Sequence, residues 1–145
     1  MATSFKKELL LGHHNFGTGV IRAGTGADSF KAALYLATAS MGAASTVYSV
    51  TNEVSGSGYT AGGVAVTFAT PPNATGTTAF VTPSANIVFS GVTLTTSFDA
   101  VLLYNSTQGN KAVSVHTFTA QTITAGTLTL TMPVNDASTG LLRLV

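Results

Sequence analysis

Thr127-Leu128-Thr129-Leu130-Thr131-Met132 alternates hydroxylated and apolar side chains without a break. Successive side chains of a β-strand point to opposite faces, so a strand puts Leu128, Leu130 and Met132 on one side and Thr127, Thr129 and Thr131 on the other. A helix would scatter both sets around its circumference. The β-branched threonines also suit a pleated surface. Pro133 has no N–H to give a ladder and ends the strand.

Working upstream, residues 112–118 read as a strand, 105–110 as a polar turn, and 99–104 (Asp99-Ala100-Val101-Leu102-Leu103-Tyr104) as a nearly continuous apolar run. Such a run fits a central strand buried on both faces, most simply paired with 112–118 as a hairpin. Shorter strands are expected at 87–89, from Val92 and Leu94 onward, and at 78–82, where Pro83 interrupts. Val64, Val66 and Phe68 share one face of another, and Pro71-Pro72-Asn73 is a clear break. Residues 29–36 form the first core strand, with Phe30, Ala32, Leu34 and Leu36 on one side, followed by small residues 37–44 as a turn or a short helical turn. Leu141, Leu142, Leu144 and Val145 make an apolar terminus expected to dock on the core or on a partner.

The one strong helical stretch is 4–11. There Phe5, Leu9 and Leu10 give an apolar edge, Ser4 can cap the start and Gly12 can stop the end. Two turns are marginal in water, so this helix needs a docking surface. About eight short strands at spacings of roughly ten residues argue for an all-β fold, a β-sandwich or jelly-roll-like module. The expected division is an N-terminal helix and arm over 1–27 and a β-sandwich domain over 28–145.

The whole chain has 145 residues, which suits one domain able to hold its own core. Only 8% of residues are charged and the net charge is +1. That balance argues against a nucleic-acid groove, which needs a basic stripe to neutralise phosphates. It also favours association over a free monomeric life. No cysteine is present, so disulfides and thiolate metal sites are excluded. No apolar run approaches the roughly 18 residues of a membrane helix, and the short run 9–11 is no signal-peptide core, so synthesis in a cytoplasm is expected.

Residue types that could carry chemistry are sparse. His13 and His14 are adjacent and diverge, which is poor geometry for chelation, and His116 lies on an expected strand. Glu8, Asp28, Glu53, Asp99 and Asp136 are spread along the chain at expected element edges, where turn roles account for them. No nucleophile-elbow sequence surrounds any serine. The glycine runs at 24–26 and 58–63 lack the Gly-Lys-Ser/Thr of a phosphate loop. Asn73-Ala74-Thr75 and Asn105-Ser106-Thr107 match the glycosylation sequon by chance in Asn- and Thr-rich loops. The reading is no catalytic residue, no cofactor and no metal. An enzyme would need His116 or His13 within reach of a carboxylate in a cleft.

Two groups of motifs occur in a characteristic order. Phe5-Lys6-Lys7-Glu8-Leu9-Leu10-Leu11-Gly12-His13-His14-Asn15-Phe16 precedes Asp28-Ser29-Phe30-Lys31-Ala32-Ala33-Leu34-Tyr35. Gly58-Tyr59-Thr60-Ala61-Gly62-Gly63 then precedes Ala100-Val101-Leu102-Leu103-Tyr104-Asn105. This order resembles a family of small tailed-bacteriophage virion structural proteins. Gly58 to Gly63 is the most specific element; the second histidine and the insert 17–27 depart from the pattern.

The resemblance implies a virion structural role, first as a capsid cement or decoration protein. Such a protein sits on the head exterior and stabilises contacts between major capsid protein subunits. The alternative is a tail or baseplate accessory protein, and a sugar-binding β module on a host-facing surface is a third reading. Partners implied are the major capsid protein and further copies of the chain, with a trimer favoured and two-fold dimers also open. Nucleic acid and membrane are not expected partners. Candidate partner-binding residues are Phe5, Leu9, Leu10, His13, Asn15 and Phe16 in the arm, Tyr59 in the glycine turn, and Leu142 and Leu144 at the C-terminus.

Overall fold

The computed structural model describes residues 13, 14, 16 and 27–145. The expected helix over 4–11, the glycine-rich passage 17–26, and Phe5, Leu9, Leu10 and Asn15 lie outside the described residues. Seven strands are present among those described: β1 (Phe30–Leu36), β2 (Val64–Val66), β3 (Asn73–Thr75), β4 (Thr78–Val81), β5 (Ile87–Asn105), β6 (Lys111–Leu130) and β7 (Leu142–Leu144), with one 3-10 turn at Ala37–Ala39. They build two antiparallel sheets, ordered β2-β1-β5-β6 and β3-β4-β7. The fold is all-β and sandwich-like.

β5 and β6 are the arms of one hairpin, closed by the expected polar turn. Asn105 Oδ1 caps that turn by accepting the N–H groups of Thr107 (3.1 Å) and Gln108 (3.0 Å). Gly109 and Asn110 supply its left-handed residues, at φ 62° and 58°. Residues 100–105 are buried without exception, as a central strand flanked by β1 and β6 requires. β1 is central as well. Ala33 and Tyr35 are therefore buried along with Phe30, Ala32 and Leu34, and its second face is not the solvated one that simple alternation implies.

The expected strands at 87–89, at 92–94 and at 99–104 are one strand of 19 residues, and those at 112–118 and 127–132 merge into one of 20 that ends at Leu130, two residues short of the expected Met132. The joints are bulges. Pairing slips between Phe89 and Val92, Val92 and Leu94, Leu94 and Phe98, and Phe98 and Ala100, with positive φ at Gly91 (65°) and Ala125 (45°). A bulge keeps the backbone extended while bending the strand, so polar interruptions that look like strand ends in sequence become corners. The hairpin folds back on itself there. Ile87 and Leu130 at its open end line one cavity with Val101, Leu103, His116 and Phe118 nearer the turn. Leu128, Leu130 and Met132 pack against the core while Thr127, Thr129 and Thr131 are exposed, which is the alternation that the run 127–132 prescribes.

Candidate functional site

Glu53 is the only charged residue between Lys31 and Asp99, and it is buried. Its expected role at an element edge is incomplete, because it sits at the centre of a polar cluster. Oε1 accepts the Tyr59 hydroxyl at 2.7 Å and the Gly62 N–H at 2.8 Å, while Oε2 accepts the Tyr48 hydroxyl at 2.7 Å. Tyr59 in turn accepts the Leu34 N–H at 3.0 Å. The Tyr104 hydroxyl donates to the Gly62 carbonyl at 2.8 Å, and its ring stacks on Tyr48 with centroids 4.7 Å apart. Tyr35 donates to the Ser49 carbonyl at 2.6 Å. These four are all the tyrosines of the chain.

Desolvation makes each phenolate costly, and the Glu53 charge adds to the cost, so all four hydroxyls are held above the ordinary tyrosine range; Tyr104 is pushed up to about 12. A group that must stay protonated is a hydrogen-bond donor, not a base. The cluster therefore fixes backbone. It clamps the 58–63 turn onto β1, where Gly63 (φ 70°) lies so close that a Cβ would come within 1.8 Å of the Ala32 carbonyl oxygen. Gly58 (φ 76°) abuts the Gly91 carbonyl of β5 in the same way, at 2.2 Å.

A second polar cluster ties the segment ahead of β1 to the hairpin turn. The two backbone donors on Asn105 Oδ1 fix which way its amide points, so Nδ2 faces Asp28 Oδ2 (2.8 Å) and His14 Nδ1 (3.0 Å). Asp28 Oδ1 accepts from Gln108 Nε2 at 3.0 Å. His14, Asp28 and Asn105 are all buried. Phe16 follows into the core, stacked on Phe30 at 4.9 Å and edge-on to Phe68 at 5.1 Å. Its expected role as an arm residue facing a partner is corrected: the ring is only 4% exposed and its surface is spent inside the domain.

The third feature is the cavity of about 310 Å³ between the two halves of the hairpin. Its lining is mostly apolar, with His116 as the titratable member. Burial pushes the His116 pKa down, and its Nε2 lies 2.9 Å from Ser114 Oγ. No carboxylate among the described residues lines this cavity. Among the described residues no group of three or more His, Cys, Asp or Glu could hold a metal ion, and no helix is long and apolar enough to cross a membrane.

The remaining candidates are scattered. Tyr59 is half-buried and committed through its hydroxyl to Glu53 and β1. Leu142 is 4% exposed and belongs to the core, since β7 pairs with β4 and turns it inward, which corrects it as a partner-facing side chain. Leu144 at 38% and Val145 at 93% do reach the surface. His13 Nδ1 is buried without a hydrogen-bond partner among the described residues. Asp136 keeps its expected turn role: Oδ1 accepts the N–H groups of Ser138 and Thr139, which hold the carboxyl below the usual range.

Glu53 and Asp28 were the residues that reading by element edges undervalued. The isolation of Glu53 in an uncharged stretch was the available signal. For Asp28 spacing offered none, because Asn105 and Gln108, which donate to it, lie beyond residue 100. Comparison with family models, with curated proteins and with solved structures finds no match for this chain.

Proposed function

We propose that this chain is a structural module of a tailed-bacteriophage virion, a cement or decoration protein on the capsid exterior that stabilises contacts between major capsid protein subunits. The motif order in the sequence supports this reading, and the observation that carries it is the use made of the polar side chains. Glu53, Asp28, Asn105 and Asp136 all hold backbone or neighbouring side chains in place, which suits a rigid module without catalytic or cofactor chemistry.

A shell is stabilised by whatever binds the assembled lattice better than the loose subunits. Weak contacts repeated over symmetric sites then sum to a large effect. A module with few charges meets this need, because unpaired charge is costly to bury in such contacts. The test is the copy number of this chain in purified virions, by quantitative mass spectrometry against the major capsid protein. A copy number comparable to that of the shell protein is expected. A few copies in multiples of three or six would move the protein to the tail or baseplate, and absence from the particle would end the virion reading.

A further inference from the structure

We propose that the outer edge of β6 is an interface at which two copies of this chain pair antiparallel about a two-fold axis, joining their larger sheets into one. β6 is the outermost strand of its sheet. Among the described residues its start is covered, where the Thr46 carbonyl accepts the Ala112 N–H at 3.0 Å and Val47 bridges Lys111, and Val113 and Ser114 are fully buried as well. From Val113 onward no described residue pairs with that edge. The other edge strands, β2, β3 and β7, have three residues each, against 20 in β6. A long open edge offers a row of N–H and C=O groups that fits another strand, and proteins that stay monomeric usually blunt such an edge with charge or proline.

Here neither charge nor proline blunts the edge, and bulges alone shape it. From Ala112 to Asn135 the sequence has no Asp, Glu, Lys or Arg, and its first proline is Pro133. Val113 and Ser114 are fully buried and β6 first reaches the surface at Thr117, so the usable edge runs from Thr117 to Thr124, bent by the bulge between Thr117 and Gln121 and ended by the one at Ala125. Along it Thr117, Thr119, Ala120, Gln121, Thr122 and Thr124 are exposed.

The lack of charge selects a second copy as the occupant. A strand built for a foreign partner can carry one sign of charge and meet the other. A strand that meets itself brings each charge against its own kind, and like charges directly opposite are destabilising. An uncharged, threonine-rich edge avoids that penalty in every antiparallel register and offers Thr–Thr pairs across the axis. Two-fold pairing is also closed: each copy's β6 is consumed, and the opposite edge, β2, is too short to propagate a fibre. This inference stands apart from the virion reading.

The experiment is sedimentation of the full chain over a wide concentration range, beside the double variant Thr119→Lys/Thr122→Lys, with amide hydrogen exchange of β6 in the wild type at low and high concentration. Both threonines are exposed, so the variant should keep its unfolding midpoint. A wild-type dimer is expected, with a dissociation constant raised at least about tenfold in the variant. Slowed exchange between residues 117 and 124 should appear only at dimeric concentrations. A wild-type monomer throughout, a trimer, or a dimer that the lysines leave unchanged would overturn the proposal. So would β6 amides that exchange equally fast at both concentrations, a readout that needs no variant. Protection of β6 seen only on virions would assign the edge to a strand of another protein.

Discussion

Glu53 Oε1 accepts the Tyr59 hydroxyl at 2.7 Å, and that same hydroxyl accepts the backbone N–H of Leu34 at 3.0 Å. One phenol thus joins a buried carboxylate to the middle of the first core strand, and the Gly62 N–H on the same oxygen brings in the glycine turn. A buried acceptor is expensive to remove because its donors stay behind unpaired.

Glu53→Ala leaves two phenols and one N–H without their acceptor and should destabilise the domain by about 3 kcal/mol or more. Glu53→Gln keeps one acceptor oxygen and should cost less. Tyr59→Phe should cost about 1–2 kcal/mol. In a double-mutant cycle with Glu53→Ala the two losses should fall short of additivity by at least about 0.5 kcal/mol, since both remove the same bond. Equilibrium denaturant unfolding measures all three; full additivity would place Tyr59 outside the Glu53 cluster.

Gly63→Ala and Gly109→Ala should differ sharply, although both positions have positive φ, 70° and 62°. Added at Gly109, a methyl meets nothing within 4 Å, so only the left-handed backbone is penalised, at about 1–2 kcal/mol. At Gly63 it collides with the Ala32 carbonyl. The turn must then leave β1, and Gly63→Ala should either fail to fold or lose several times as much stability. Thermal unfolding of the two variants side by side checks this.

Tyrosine ionisation should be silent in the native state. With Tyr104 raised to about 12 and Tyr35, Tyr48 and Tyr59 also raised, phenolate absorbance should not develop near the ordinary value of about 10 while the fold persists. In denaturant all four should titrate together near that value. The folded state binds more protons than the unfolded one in this range. The stabilisation is fully present below the unfolded pKa and is lost as pH rises above it, so alkaline unfolding should be accompanied by a step of phenolate absorbance. Titration of a tyrosine well before unfolding would contradict the burial of its hydroxyl.

His116 should make stability fall on mild acidification. Burial lowers its pKa in the fold, so below the unfolded value of about 6.5 the unfolded chain takes up a proton that the folded chain resists. The loss begins as pH falls through that value and ends once the folded pKa is passed. Comparing the wild type with His116→Gln isolates this share from His13 and His14. The difference in unfolding free energy between the two proteins should be constant above about pH 7.5 and should shift in favour of the variant below pH 6.5. A difference independent of pH would mean that His116 is solvated.

The alternation in Thr127 to Met132, the apolar run from Ala100 to Tyr104 and the turn at 105–110 were legible in the sequence, because each depends on side-chain period and backbone preference within a few residues. That is enough to determine an all-β chain and its main hairpin. Three things were decided only by tertiary structure. The strands at 87–89 and 99–104 are one because bulges carry an extended backbone through polar residues, and a bulge leaves little mark in composition. Phe16 is core because Phe30 and Phe68 meet it in space. Asp28 joined a buried polar cluster because Asn105 and Gln108, which donate to it, come from the hairpin turn, while Glu53 gathers donors from within nine residues and became a cluster centre because the loop around it is buried against β1. Periodicity reports which face a residue occupies; which distant segment covers that face depends on how the bent hairpin and the glycine turn pack, and that is settled by steric fit and hydrogen-bond satisfaction across the whole fold.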